Sequence, residues 1–356
     1  MIKPDPLIIN IISTQIYRTR ITGPKKVLEN TCKGLDKLGI TYIFNQPISD
    51  YTYNWIHDDQ KAIIEAGFVK KPVLIGPNTA VLPKDLPIFR FKLPKKSIYI
   101  HPSQWVLNTW RLLGYDEAKL ESWPVGIDLN AFKSIDRNEK RKVLLYFKQR
   151  DLKILAEIKL LLQILHFDYT VIYYGFYKED EYLQVLNECQ FGIWIGCSES
   201  QGIGLQEALA TNLPLIVLDA VSIFDTIPTN SKKYFGYNFP SSIKNIKTTT
   251  VPYFDARCGI KIEKITDLEE SLLYMFNNIH EYKPREYIQE NLSLEKCTTH
   301  ILSFFDQMNI QESNGYNYQR LSKILYYCGL IFQIWAWKWL WRRIIIETTI
   351  VKTIKK

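Results

Sequence analysis

Short apolar runs alternate with amphipathic helical patterns along this chain, and the alternation is played out twice. Leu7–Ser13 is an isoleucine-rich run that reads as a strand buried on both faces. From Pro24 to Gly39 the period changes. Val27, Leu28, Cys32, Leu35 and Leu38 fall on one helical face, with proline at the start and glycine at the cap. Ile40–Phe44 reads as the next strand, His57–Phe68 as a helix, Pro72–Ile75 and Ser97–Ile100 as strands, and Pro102–Leu113 as a helix closed by Gly114. Strands joined through helices pair in parallel and need cover on both faces. The segment ESWPVGIDLNAFKSIDRNEKRK (121–142) then passes from apolar to charged and reads as a linker. Beyond it the alternation restarts. Val143–Phe147, Tyr169–Tyr174, Phe191–Ile195 and Leu215–Leu218 are strands, and Leu152–Leu165 and Glu179–Glu188 are helices. The expectation is two successive α/β units with a ligand cleft between them.

Composition narrows the function classes. A chain of 356 residues exceeds what one hydrophobic core serves, and 46% apolar content excludes wholesale disorder. Six cysteines are scattered without a CxxC pair, which argues against a zinc site or a disulfide framework and for a reducing compartment. The first residues carry two prolines, an aspartate and no small-residue cleavage site, unlike a secretory signal. The net charge of +8 would suggest a nucleic-acid partner, but eight basic and two acidic residues from position 310 onward account for +6 of it. The body is nearly neutral, so no nucleic-acid partner is expected.

The stretch ESQGIGLQEALATNLPLIVLD (199–219) frames a glycine-bearing turn with two carboxylates. Glu199 follows a strand and stands at its carboxyl end. Gly202 and Gly204 permit a tight turn and close approach of a ligand. The free N–H groups around Ile203, Gly204 and Leu205 open a helix and form an anion site. Glu207, one turn in, suits paired hydroxyls such as those of a ribose, and Glu199 can accept hydrogen bonds on the ligand's other side. On spacing alone, both glutamates fit equally well as solvated helix-start residues.

This stretch resembles the signature of retaining glycosyltransferases of family four, a Glu-x7-Glu motif followed by a small-residue turn, Leu-Pro and a strand. TGPKKVLENTCKGLDKLGI (22–40) resembles that family's glycine loop and first helix, and HPSQWVLNTWRLLGY (101–115) its serine-initiated helix. VGIDLNAF (125–132) resembles the element entering the linker, and SLEKCTTHILSFFDQM (293–308) the closing helix. The resemblance implies the α/β GT-B fold, with two Rossmann-like domains whose parallel sheets face across a cleft. Residues 1–130 would form the acceptor domain and 131–292 the nucleotide-sugar domain. Residues 293–309 would return toward the first domain, and the tail 310–356 falls outside the match.

The implied reaction moves a sugar from a UDP- or GDP-sugar to a hydroxyl of a glycan, glycolipid or glycoprotein, with retention at the anomeric carbon. Glu199 would orient the transferred sugar and Glu207 the ribose. Lys148, Arg150 and the helix N-terminus at Gly202–Leu205 would meet the diphosphate, with Gly23 approaching from the other domain beside Lys25 and Lys26. No cofactor and no metal are implied, in keeping with the absence of an Asp-x-Asp pair. Several positions depart from the family. Ser200-Gln201-Gly202 replaces Gly-Phe-Gly, and Asn212 stands where a glycine ends the motif helix. Lys148 takes an arginine's place, and either Arg150 or Lys153 a lysine's. The base-contacting segment before Glu179 is shortened, which leaves the nucleobase open. The family's first-domain histidine lacks a clear counterpart near IGPNTAVLP (75–83), and His57 and His101 are the candidates. These departures keep two other readings open: another GT-B enzyme such as a nucleotide-sugar epimerase, or a catalytically inactive binding module.

The tail is the last signal. In LSKILYYCGLIFQIWAWKWLWRRIII (321–346), Trp335, Trp337, Trp339 and Trp341 alternate beside lysine and arginine, the composition of a membrane interface. A cytoplasmic enzyme held peripherally on an anionic membrane is expected. Packing of the tail on the first domain is the competing reading.

Overall fold

The structure, a computed structural model, describes residues 7–49, 52–86, 93–135, 137, 142–224 and 239–308. The first sheet is built from β1 (Ile8–Ile12), β2 (Thr41–Phe44), β3 (Tyr53–Ile56), β4 (Leu74–Ile75), β5 (Ile98–His101) and β6 (Lys119–Ser122). Its order is β2-β1-β3-β4-β5-β6, and every pairing is parallel. Three helices belong to it: α1 (Gly23–Lys37), α2 (Gln60–Val69) and α3 (Gln104–Leu112). Thr22 caps α1, its side chain accepting from the Lys25 N–H, and Pro24 sits in the first turn where a missing N–H costs nothing.

The second sheet holds β7 (Lys142–Phe147), β8 (Asp168–Tyr173), β9 (Cys189–Ile195), β10 (Leu215–Leu218) and β11 (Gly259–Ile262), in the order β11-β10-β9-β7-β8, again all parallel. α4 (Leu152–Ile164), α5 (Glu179–Glu188), α6 (Ile203–Ala210), α7 (Leu268–Asn277) and α8 (Pro284–Leu292) accompany it. β9 is buried along its whole length, which is why Phe191–Ile195 reads as an apolar run rather than an alternation.

The chain then crosses back. Ile127 pairs with Ser293, and its N–H donates to the Leu292 carbonyl at 2.8 Å. α9 (Leu294–Met308) leaves the second unit and packs on α1. Ile301, Phe304, Phe305 and Met308 of α9 are buried with Ile9, Ile11 and Trp55 in the first domain's core. Burial of each is worth roughly 1.5–3 kcal/mol, enough to pin the helix there. Gly34 permits the contact, because a Cβ on it would lie 2.0 Å from the Thr298 hydroxyl.

Two expectations need correction. The helix expected over His57–Phe68 is present as α2 but starts three residues later, at Gln60, capped by Asp59, and Tyr53–Ile56 before it, not read from the sequence, is a strand in the middle of the first sheet. The start of the supposed linker 121–142 belongs to β6, and Trp123, Val125 and Ile127 after it are buried. Both runs are too short for periodicity to decide, and their sheet neighbours settle the matter. Asn212 meets its expectation: it adopts φ 63° and closes α6 as a glycine would. Among the described residues no helix is long and apolar enough to cross a membrane. The tryptophan-rich tail lies outside the described residues.

Candidate active site

β7 and β9 are neighbours, while β8 lies on the far side of β7. The chain therefore reverses direction between them, and their carboxyl ends open a crevice of the kind that binds ligands. Register places Phe147 opposite Ile195, so the residues following the two strands emerge side by side. The Lys148 N–H donates to the Ile195 carbonyl at 2.9 Å. Glu199 is held from the other side, its N–H donating to Thr249 O at 3.0 Å. Lys148 Nζ reaches Glu199 Oε1 at 2.6 Å and lies 4.1 Å from the centre of the Tyr174 ring. Burial by itself would lower the Lys148 ammonium, but the adjacent Glu199 carboxylate outweighs it and holds the group above its ordinary value.

The turn after Glu199 is set by Gly202, whose φ of 82° is a left-handed conformation at the N-cap of α6. Ile203, Gly204 and Leu205 begin the helix and, with Gly202, line the cleft. A Cβ on Gly204 would lie in ordinary contact with the Tyr146 hydroxyl at 3.8 Å and the Trp194 ring at 4.0 Å, and the first N–H groups of the helix have no partner within it. Beneath them Tyr146 and Trp194 stack with centroids 3.7 Å apart, and the Tyr182 hydroxyl donates to Gly204 O at 2.7 Å. Gln201, which stands where phenylalanine was expected, is buried and acts as an amide clamp. Its Oε1 accepts from Val125 N at 3.1 Å and its Nε2 donates to Val125 O at 2.8 Å. The substitution thus ties the motif loop to the crossover between domains.

Glu207 is placed differently from Glu199. It is 3% exposed, lies under the cleft surface rather than on it, and meets a lysine of the first domain. Lys26 Nζ is 2.9 and 2.8 Å from the two Glu207 oxygens and 2.6 Å from Glu179 Oε2 at the start of α5. One cation thus faces two carboxylates. Burial would lower the Lys26 ammonium, but Glu207 and Glu179 together raise it. Burial pushes the Glu207 carboxyl up to about 7, against the pull of Lys26.

Both domains line a cleft of about 1090 Å³. The first domain contributes Gly23 and Lys26 of α1, the 77–82 loop, His101 and Trp105. Two bonds close across it, Trp105 Nε1 to Glu199 O at 2.9 Å and the Tyr253 hydroxyl to Pro102 O at 2.9 Å. His101 is 1% exposed, stacks on Tyr99, meets Trp110 at a tilt, and has a buried Nε2 without a hydrogen-bond partner among the described residues; burial lowers it to about 3, so the ring is neutral. His57 is buried away from the cleft, also neutral, with burial lowering it to about 4.

The cleft therefore gathers Glu199, Lys148, Gly23 and the Gly202–Leu205 turn, with Glu207 just beneath. It does not gather Arg150, Lys153 or Lys25. The Arg150 guanidinium donates to Gly196 O, Leu218 O and Asp219 O at 2.6–3.0 Å, behind the strand ends. There it satisfies carbonyls that the sheet leaves open, so the expected diphosphate role is not supported by its position. Lys153 does not line the cleft, and Lys25 Nζ donates to Gln15 O at 3.2 Å. Glu179, Trp105 and the Tyr146–Trp194 stack were not identified from sequence. A helix-start glutamate and core aromatics look like any others until a second domain is laid against them.

No protein-family model matches the sequence, and no curated protein matches it. Solved structures do. HepE of Anabaena in complex with UDP is similar with a TM-score of 0.52 and 10% identity, over 84% of this chain and 99% of that one. HepE in complex with UDP and glucose gives 0.51, 10%, and the same coverage. The catalytic domain of Starch Synthase IV from Arabidopsis thaliana, bound to ADP and acarbose, gives 0.51 and 9%, over 85% and 99%. Two all-parallel Rossmann-like domains, a ligand cleft at their strand ends and a final helix returning to the first domain give this chain the GT-B fold.

Proposed function

We propose that this protein is a glycosyltransferase that moves a sugar from a nucleotide-sugar to an acceptor hydroxyl with retention of anomeric configuration. The observation carrying this reading is the Lys148–Glu199 pair beside the open N-terminus of α6, at the switch point of the second sheet and inside the interdomain cleft. A diphosphate at the helix N-terminus receives free N–H groups and the positive end of the helix dipole. Lys148 stands where charge grows on the departing diphosphate, and Glu199 orients the sugar being transferred. Glu207 is assigned the ribose. Stabilisation of the leaving group then needs no metal ion and no cofactor.

The nucleotides in similar structures support a nucleoside diphosphate without naming the base, since HepE holds UDP and the starch synthase domain holds ADP. The acceptor is a hydroxyl of a glycan, glycolipid or glycoprotein entering along the first-domain wall of the cleft. The basic, tryptophan-rich tail is assigned to an anionic membrane surface on the cytoplasmic side. Co-sedimentation with anionic liposomes, full chain against a chain ending at Gly315, tests that assignment, and equal behaviour of the two removes it.

The test of the activity is a panel of UDP-, GDP- and ADP-sugars in thermal shift, followed by NMR of the product's anomeric signal. A ligand at a hundred times its dissociation constant stabilises by about 2.7 kcal/mol, well within detection. An epimerised donor without a glycoside would indicate an epimerase. Binding without turnover would indicate an inactive module. An inverted anomeric centre would refute retention.

A further inference from the structure

Lys26 occupies a place that the donor-binding reading reserves for ligand. Its ammonium is 2.9 and 2.8 Å from the two oxygens of Glu207, the pair of acceptors that a ribose diol requires. Lys26 and Glu179 line the cleft, whereas Glu207 is 3% exposed and lies behind them. A ribose reaches Glu207 only after the lysine has left its oxygens.

We propose that Lys26 is a specificity-determining residue that covers the ribose carboxylate and yields it only to a ligand whose phosphates take the lysine in exchange. This rests on the donor reading of the site.

The energetic argument is one of compensation. Withdrawing the lysine leaves Glu207 as a buried carboxylate without its cation, which is strongly unfavourable. Ribose hydroxyls restore hydrogen bonds to that carboxylate but carry no charge to receive the ammonium. A nucleoside alone therefore meets the opposition of the ion pair. A nucleoside diphosphate supplies both halves, hydroxyls for Glu207 and anionic oxygens for Lys26, and charge-assisted bonds on each side replace the ones broken. The α6 N-terminus and Gly23 line the same cleft as Lys26, so phosphates placed there lie on the lysine's side of Glu207.

The charged and titratable groups facing Glu207 are few. Lys26 and Lys33 approach from α1, Glu179 and Tyr182 from α5, and Tyr177 from the loop before it. Arg285 of α8 reaches α6 only at its far end, at the Ala210 carbonyl. Lys26 is the cation in contact. The arrangement also binds the two domains together, since Lys26 belongs to the first and both carboxylates to the second.

The experiment uses the full chain and calorimetric affinities for uridine, guanosine and adenosine and for UDP, GDP and ADP. The readout is the ratio of nucleoside to nucleoside-diphosphate dissociation constants for the preferred base. In Lys26→Met the nucleoside should bind more tightly than to wild type and the diphosphate more weakly, so the ratio falls about tenfold or more. Lys26→Arg, which keeps the cation, should hold the ratio near the wild-type value. An unchanged ratio in Lys26→Met, or a nucleoside that binds it more weakly, overturns the proposal. Glu207→Gln separates this from the donor reading: if nucleoside affinity survives that change undiminished, ribose does not sit on Glu207. If none of the six probes binds wild type, the donor reading fails and the proposal fails with it. Thermal melts of each variant confirm that it folds.

Discussion

The two glutamates of the motif each meet a lysine, but the two pairs are built differently. Lys148 and Glu199 come from the ends of adjacent strands in one sheet, and strand register brings them together. Lys26 and Glu207 come from different domains, separated by 181 positions in sequence, and only the packing of one domain on the other makes them meet. The first pair lies within the second domain, whereas the second spans the two domains.

The sharpest way to break this comparison is to remove the cation of the intradomain pair. Lys148→Ala should lower turnover about 100-fold or more, because its partner charge grows on the departing diphosphate. Steady-state kinetics at saturating donor would read it. A raised Michaelis constant with unchanged turnover would make Lys148 a ground-state binder. The change should also destabilise the fold, since it leaves Glu199 with its side chain 14% exposed and unpaired.

The next effect is in stability against pH. Burial raises the Glu207 carboxyl from an ordinary 4.5 to about 7, so the folded protein holds this proton more tightly than the unfolded chain does. Its contribution to stability is complete below about pH 4.5 and is lost as pH rises through about 7, on the order of 3 kcal/mol in all. Glu207→Gln cannot titrate and should lose that slope. Melting curves from about pH 5 to about pH 8 compare the two. Identical slopes would mean that Lys26 keeps Glu207 ionised throughout.

A smaller effect is expected on donor affinity. Glu207→Ala removes charge-assisted hydrogen bonds worth roughly 1.5–3 kcal/mol, about tenfold or more in dissociation constant. Unchanged affinity in a folded variant would take the ribose away from Glu207. The smallest expected effect is none: EDTA should leave activity intact. Activity lost to the chelator and restored by magnesium or manganese would overturn metal independence.

Much of this was legible in the sequence, and the limits follow a pattern. Strands Ile8–Ile12 and Cys189–Ile195 announce themselves because a parallel strand covered on both faces is mostly apolar, here with Asn10 and Gln190 as the polar exceptions. Asn212 was readable as a helix cap because few residues other than glycine accept a left-handed backbone. Tyr53–Ile56 was not readable, since four residues cannot show a period. Arg150 was misplaced for a related reason. Sequence puts it two residues beyond Lys148, but Gln149 between them turns at φ 52°, and the Arg150 guanidinium bonds the Gly196 carbonyl while Lys148 reaches Glu199.

The class of fold, the order of its parts and the turn that carries Glu199 and Gly202 to the mouth of a crevice are written in local patterns of residues. Period, punctuation and strand ends are local properties, and local contacts enforce them. Tertiary structure alone decided which charges meet. Lys26 was one of two lysines in a helix's first turn, and Glu179 one of three acids at the start of another helix. Their meeting over Glu207 depends on how one domain packs on the other, and α9, burying its apolar face back in the first core, is one of the contacts that hold that packing.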